Sequence, residues 1–173
     1  GVVPEPDPSK DRGELEGKLK PMFAELAAGF SSQMDGLNFS GALSSLWAVV
    51  REMNGYVDKS APLKEEDQPT LSNVLYTLHE GLRVIALYAY PFMPSSGVKV
   101  WESLGVTGDI SKADFDAETV FGAGRPGGRV VKGPSLFPRI VRIEPGSGGI
   151  TLKGQTPDIA VTSHKTKAKG RSD

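Results

Sequence analysis

The chain has 173 residues, enough for one ordinary domain with appendages, and no cysteine, which removes disulfides, thiolate catalysis and sulfur-ligated metals. No stretch approaches the ~20 apolar residues of a membrane span and no signal-peptide pattern opens the chain, so the composition fits a cytoplasmic protein. The formal charge of −1 hides an asymmetry: residues 1–124 carry 18 acidic and 10 basic side chains, whereas residues 125–173 carry 3 and 10. A basic final segment fits a polyanionic partner, an acidic surface within the molecule, or a solvated tail.

In chain order, residues 1–13 read as a linker, because PEPDPSKDRG holds too much proline and charge to pack. A first helix is expected over about 14 to 35, where Leu15, Leu19, Met22, Phe23, Leu26 and Phe30 recur at the spacing of one helical face. Pro21 marks either a kink or the true first turn. Asn38 is placed to cap a second helix, about 39 to 58, whose stripe is Phe39, Ala42, Leu43, Leu46, Val49, Val50 and Met53. The corner at 59 to 69, with Pro62 and the acidic run Glu65, Glu66 and Asp67, ends it. From a Thr70 cap, Leu71, Val74, Leu75, Leu78, Leu82, Ile85, Ala86 and Ala89 predict a third helix, stopped by Pro91 and Pro94. A short fourth helix, about 95 to 104, presents Val98, Trp101 and Leu104 and ends on Gly105, which suits a left-handed cap.

Short loops between amphipathic helices imply a mainly α fold, an antiparallel helical bundle over residues 14–106. Residues 107–143 alternate glycine and proline with β-prone pieces and read as an extended or β-hairpin-like C-terminal strap. Residues 144–173 read as a linker or disordered basic tail.

Catalytic chemistry is hard to find in this pattern. His79 and His164 have no ligand-spaced partners, and His79 reads as a surface or boundary residue. Gly122, Gly124 and Gly127 match G-x-G-x-x-G, but the glycines run into Arg129-Val130-Val131 and no helix follows to hold a pyrophosphate. Glu65 and Glu66 form a solvated run rather than an acid/base pair. Trp47 and Trp101 fall on or beside apolar stripes and read as packing residues rather than base platforms.

Several motifs then align in order: Asn54-Gly55-Tyr56-Val57-Asp58, Ala61-Pro62, Leu82 to Ala86 leading into Tyr90-Pro91-Phe92-Met93-Pro94, and Trp101-Glu102-Ser103-Leu104-Gly105. With Arg129 to Lys132 and the LFPRI that begins at Leu136, this order resembles the anticodon-binding domain of bacterial methionyl-tRNA synthetases, class I enzymes, over about residues 1 to 143. The resemblance implies a C-terminal fragment of a methionine–tRNA ligase. Methionine tRNA, through its CAU anticodon loop, is then the partner, together with the enzyme's own catalytic domain; neither DNA nor a membrane is. No cofactor belongs to this chain, because ATP and methionine bind a catalytic domain that has no counterpart here. Gly1-Val2-Val3-Pro4 looks like the stretch after the family's first bundle helix, so the Asn and Arg which that helix contributes to base reading match no residue here.

The corner is the family's other base-reading element, where a Pro is followed by a Trp that stacks on an anticodon base. Pro62 keeps its place, and Leu63 stands at the Trp position. Stacking on an aromatic is worth ~1–3 kcal/mol per base, and leucine offers an apolar contact without a π face. Lys59, Lys64 and Arg51 surround the corner as phosphate contacts or as plain surface cations, and Asn54 bonds either a base or, preferably, the corner's backbone. An alternative is a non-catalytic helical protein-interaction module derived from such a domain.

Overall fold

The structure is a computed structural model that describes residues 1–7, 9, 15–62 and 65–138. It contains a compact unit, Gly1–Pro134, and a second, Ser135–Asp173, of which residues 135–138 are described. The unit is mainly helical: α1 (Glu16–Asp35), α2 (Phe39–Ser60), α3 (Gln68–Ala89), α4 (Pro94–Ser103), a 3₁₀ turn at Ile110–Lys112, and a one-turn α5 (Phe115–Glu118).

The stripes read from the sequence become the core. Leu19, Phe23, Leu26 and Phe30 of α1 meet Leu46, Val49, Met53 and Tyr56 of α2 and Val74, Val84 and Tyr88 of α3. Each such side chain contributes about 1.5–3 kcal/mol by leaving water. Cross-contacts fix the helix directions. The Tyr56 hydroxyl at the end of α2 donates to Glu16 at the start of α1 (2.7 Å), while Gln33 near the end of α1 reaches Ser45 near the start of α2 (3.5 Å). The two helices are therefore antiparallel. Phe30 lies edge-on to Tyr88 with ring centroids 4.7 Å apart, so α3 runs back alongside α1. In α4, Gly97 sits against Ala86 and Tyr90, and Leu104 sits near His79, so α4 descends along α3.

Helix ends follow local chemistry. The Asn38 side chain accepts from the Gly41 amide at 3.1 Å, as its position predicts. The third helix starts earlier than expected: Asp67, not Thr70, is the cap, its carboxylate accepting the Thr70 amide at 3.1 Å. Pro69 is tolerated because first-turn amides have no intrahelical acceptor. The same logic puts Pro94 at the first position of α4 rather than beyond the end of α3. Pro21 lies inside α1, which continues through it. Gly105, at φ +70°, closes α4: its amide donates to Glu102 and that of Val106 to Trp101, the paired bonds of a Schellman cap.

After α4 the chain folds back over the helices. Phe115 packs edge-on to Tyr88 (5.1 Å between centroids) and Phe121 stacks on Phe23 (4.7 Å). The residues around Arg129 then pair with the chain's start rather than with the next β-prone piece. Val2 and Arg129 form an antiparallel bridge, Val3 donates to Gly128 and Gly127 to Val3, each at 2.9 Å. Val3 is buried, and Asp7 exchanges two hydrogen bonds with the Asn73 side chain. Residues 1–7 are thus bound to the bundle, contrary to the reading of residues 1–13 as an unpacked linker. That reading weighed local composition, and the pairing spans more than a hundred residues. The tail, 144–173, and the last residues of the strap, 139–143, lie outside the described residues.

Candidate nucleic-acid interface

The corner begins with the last turn of α2. The Ser60 hydroxyl turns back to the Tyr56 carbonyl (2.7 Å) and the Ala61 amide donates to Val57 (3.0 Å). Ala61 then adopts the left-handed conformation, φ 42° and ψ 54°. The proline after it disfavours the right-handed helical region for Ala61, so the helix stops there. Pro62 is half-buried, and the Glu65 carboxylate accepts the Asp67 amide at 3.1 Å. The Tyr56–Glu16 bond ties this end of α2 to α1, so the corner sits on a rigid support.

The site residues expected from the sequence divide into three groups. Arg51 and Asn54 are exposed on the side of α2 away from Met53 and Tyr56, about one turn apart. Lys59 is also exposed, nearer the corner, but it lies about 140° around the helix from Asn54, so those two do not share a face. Leu63 and Lys64 fall outside the described residues. The Asn54 side chain makes no hydrogen bond to a described residue.

Two other expectations are corrected. Trp47, read as a packing residue, is 45% exposed on the same side of α2 as Arg51, and it lines a cleft with Leu43, Phe92 and Met93. The helix face turns there, so a residue beside the stripe ends outside the core. Trp101 does pack, with its indole N–H donating to the Gly108 carbonyl at 3.0 Å. His79 is buried rather than at the surface, its Nε2 donating to the Leu104 carbonyl at 3.0 Å.

The strongest electrostatic feature is one the sequence reading passed over. Glu80 and Arg83, one turn apart on α3, are both buried. Arg83 donates from Nε and Nη2 to the two Glu80 oxygens, each at 2.8 Å, from Nη1 to Glu118 at 2.7 Å, and to the Val120 carbonyl at 3.2 Å. Glu80 Oε1 also accepts the amides of Gly122 (2.7 Å) and Gly124 (3.1 Å). Burial pushes the Glu80 carboxyl up, but its Arg83 partner and the two glycine amides more than offset this and hold it below the ordinary carboxylate range. Burial alone would pull Arg83 down, and the Glu80 hydrogen bond and charge reverse it. Two of the three glycines that imitate a dinucleotide fingerprint, Gly122 and Gly124, therefore bind a carboxylate of their own chain. A signal was present: Glu80 and Arg83 interleave with the apolar stripe of α3, where a solvated pair has no place.

Among the described residues, no three His, Asp or Glu side chains converge on a point that could hold a metal, and no helix is long and apolar enough to cross a membrane. What this surface offers is an exposed cation, an exposed amide and a rigid corner, which suit reversible binding of a loop.

The chain is 35% identical over 144 residues to the methionine–tRNA ligase of Caldanaerobacter subterraneus subsp. tengcongensis, covering 81% of this chain and 22% of that protein. It is 33% identical over 161 residues to the methionine–tRNA ligase of Bacillus subtilis, covering 89% of this chain and 23% of that protein. Among solved structures, the free form of methionyl-tRNA synthetase from Mycobacterium tuberculosis matches with a TM-score of 0.71 at 24% identity, over 83% of this chain and 29% of that one. No protein-family model matches the chain. The chain spans less than a quarter of the length of these two sequence relatives.

Proposed function

We infer, from this chain's place in the methionine–tRNA ligase family along less than a quarter of those enzymes' length, that it is their anticodon-binding portion. In this reading it holds the CAU anticodon loop of methionine tRNA while a separate catalytic domain joins methionine to the tRNA with ATP, in the cytoplasm. The kinship over four fifths of the chain carries the proposal. The geometry supports it: Arg51 and Asn54 are free to meet a phosphate and a base edge, and α2 delivers Pro62 on a braced corner.

Leucine at position 63 removes the π face on which a base would stack. The chain by itself should therefore bind a methionine tRNA anticodon stem-loop weakly, no tighter than an unrelated RNA hairpin. Leu63→Trp should strengthen that binding about tenfold, the low end of one stacked base. Fluorescence anisotropy with CAU and altered-anticodon stem-loops reads both. Tight CAU-dependent binding by the unmodified chain would refute the role given to position 63. An unchanged affinity in Leu63→Trp would show that the corner does not face RNA.

A further inference from the structure

We propose that the cavity at the start of α1 is a binding site for a small primary aliphatic amine. The ammonium group pairs with Glu16, and the alkyl stem lies against Tyr76 and Phe121.

Glu16 opens α1 yet is only 6% exposed. Its Oε1 accepts the Tyr56 hydroxyl at 2.7 Å, whereas its Oε2, equally enclosed, accepts from no described residue. The other buried carboxylate, Glu80, shows how this chain treats a sequestered charge: a guanidinium and two backbone amides answer it. Nothing comparable answers Glu16. A buried carboxylate oxygen without a donor is costly, and a positively charged donor relieves that cost most completely.

Glu16 lines a cavity of about 240 Å³ in which four segments meet: residues 6–7, α1, α3 and the strap at 121–122. Asn73 and Thr77, both buried, are its polar wall on α3. Asn73 is engaged with the Asp7 backbone at both ends of its amide, whereas the Thr77 hydroxyl makes no hydrogen bond to a described residue. Tyr76 and Phe121 are half-buried and face the cavity with Pro6. The Tyr76 hydroxyl is held by the Gly124 carbonyl at 2.8 Å, so its ring is what remains for a ligand.

The class of ligand follows from what the site leaves open. One carboxylate oxygen is unanswered, and one positive charge answers it. Lys20, one turn along α1, lines the same cavity but is exposed and does not donate to Glu16. A metal ion finds no set of ligands, since among the described residues no three His, Asp or Glu side chains converge. A guanidinium binds best through both oxygens of a carboxylate, and Tyr56 already occupies one of them. A primary ammonium needs no fixed fork: its three N–H donors can reach Glu16 Oε2 and Thr77 separately. Aromatic faces attract such a cation, and an alkyl stem matches the carbon of Phe121 and Pro6. Once bound, the amine links the chain's start, α1, α3 and the strap through one charge.

The test titrates this chain with n-butylamine hydrochloride, followed by calorimetry and by thermal melting, against sodium chloride at equal ionic strength. Butylammonium should bind one to one and raise the melting temperature by about 5 °C at roughly ten times its dissociation constant. Tetramethylammonium, which has no N–H to donate, should bind about tenfold more weakly or worse. Glu16→Gln still offers an oxygen to Tyr56 but no charge, and should weaken butylammonium binding by about tenfold or more. Thr77→Val, which keeps the shape of the wall, should weaken it by about threefold or more. An equal rise in melting temperature with sodium chloride overturns the proposal, because it means screening of acidic surface only. So does the absence of any shift, which means that water or Lys20 already answers Glu16. Undiminished binding in Glu16→Gln overturns it too, and should that variant fail to fold, undiminished binding in Thr77→Val decides against it in the same way.

Discussion

Replacing Glu80 by Gln should destabilise the unit by about 3 kcal/mol, near the bottom of the range for breaking a buried ion pair from one side. The figure follows from the partners. Glutamine keeps one oxygen, which can still accept the Gly122 and Gly124 amides and Arg83 Nη2 where Oε1 now does. Its NH₂ group then points at Arg83 Nε–H, so an accepted bond of 2.8 Å becomes a contact between two donors. A lost charge-assisted bond is worth about 1.5–3 kcal/mol, and the remaining charge of Arg83 falls to Glu118, whose side chain is 43% exposed and screened by water. That second carboxylate is why the loss stays at the low end. Set against a typical total of about 5–15 kcal/mol, the effect is large and readily measured by urea denaturation. The pH dependence gives a second readout. The folded-state value of Glu80 is depressed, so its contribution is complete above the unfolded-state value of about 4.3 and is lost as pH falls through the folded value. Glu80→Gln should therefore lower stability at neutral pH and flatten the acid limb. A loss under about 1 kcal/mol, or an acid limb as steep as before, would refute the assignment of the pair as the clasp between α3 and the strap.

Gly105→Ala should cost about 3 kcal/mol or more, because the φ of +70° strains alanine and the added methyl meets the Arg129 carbonyl head-on. An unchanged urea midpoint would show that the strap can lift away from α4 freely. Tyr56→Phe leaves the buried Glu16 carboxylate with no hydrogen bond from a described residue, since its other oxygen has none already. A loss of about 1–3 kcal/mol is expected, with the acidic end of α1 fraying first by hydrogen exchange; uniform exchange along α1 would contradict it.

The parts of this fold that were legible in the sequence are those whose cause is local. The stripes of α2 and α3 run at helical spacing, Asn38 caps through its own side chain, and Gly105 marks a left-handed residue; each could be read within a few residues of itself. Proline marks a boundary in the sequence without giving its sense: Pro94, expected to stop α3, opens α4 as Pro69 opens α3, because an absent amide does no harm in a first turn. Long-range features left no local trace. Val2 meets Arg129, and Gly122 meets Glu80, across gaps that no periodicity reports. Of the candidate site, the exposure of Arg51, Asn54 and Lys59 could be inferred from the polar side of α2, whereas the exposure of Trp47 could not. An aromatic near a stripe reads as core until its helix is oriented, and the exposed indole became visible only in three dimensions.

The stitch between residues 1–3 and 127–130 also orders events in time. Its closure gathers a loop of about 127 residues, an entropic penalty of about 4 kcal/mol that only a few backbone bonds oppose directly. The helix pairs close much shorter loops and should form first, with the stitch added once the core has already drawn its two ends near. On a ribosome the delay is built in. At about 5–20 residues per second, Gly122 and Gly124 emerge seconds after Glu80 and Arg83 have joined α3. During that interval water, rather than the strap, must solvate the ion pair.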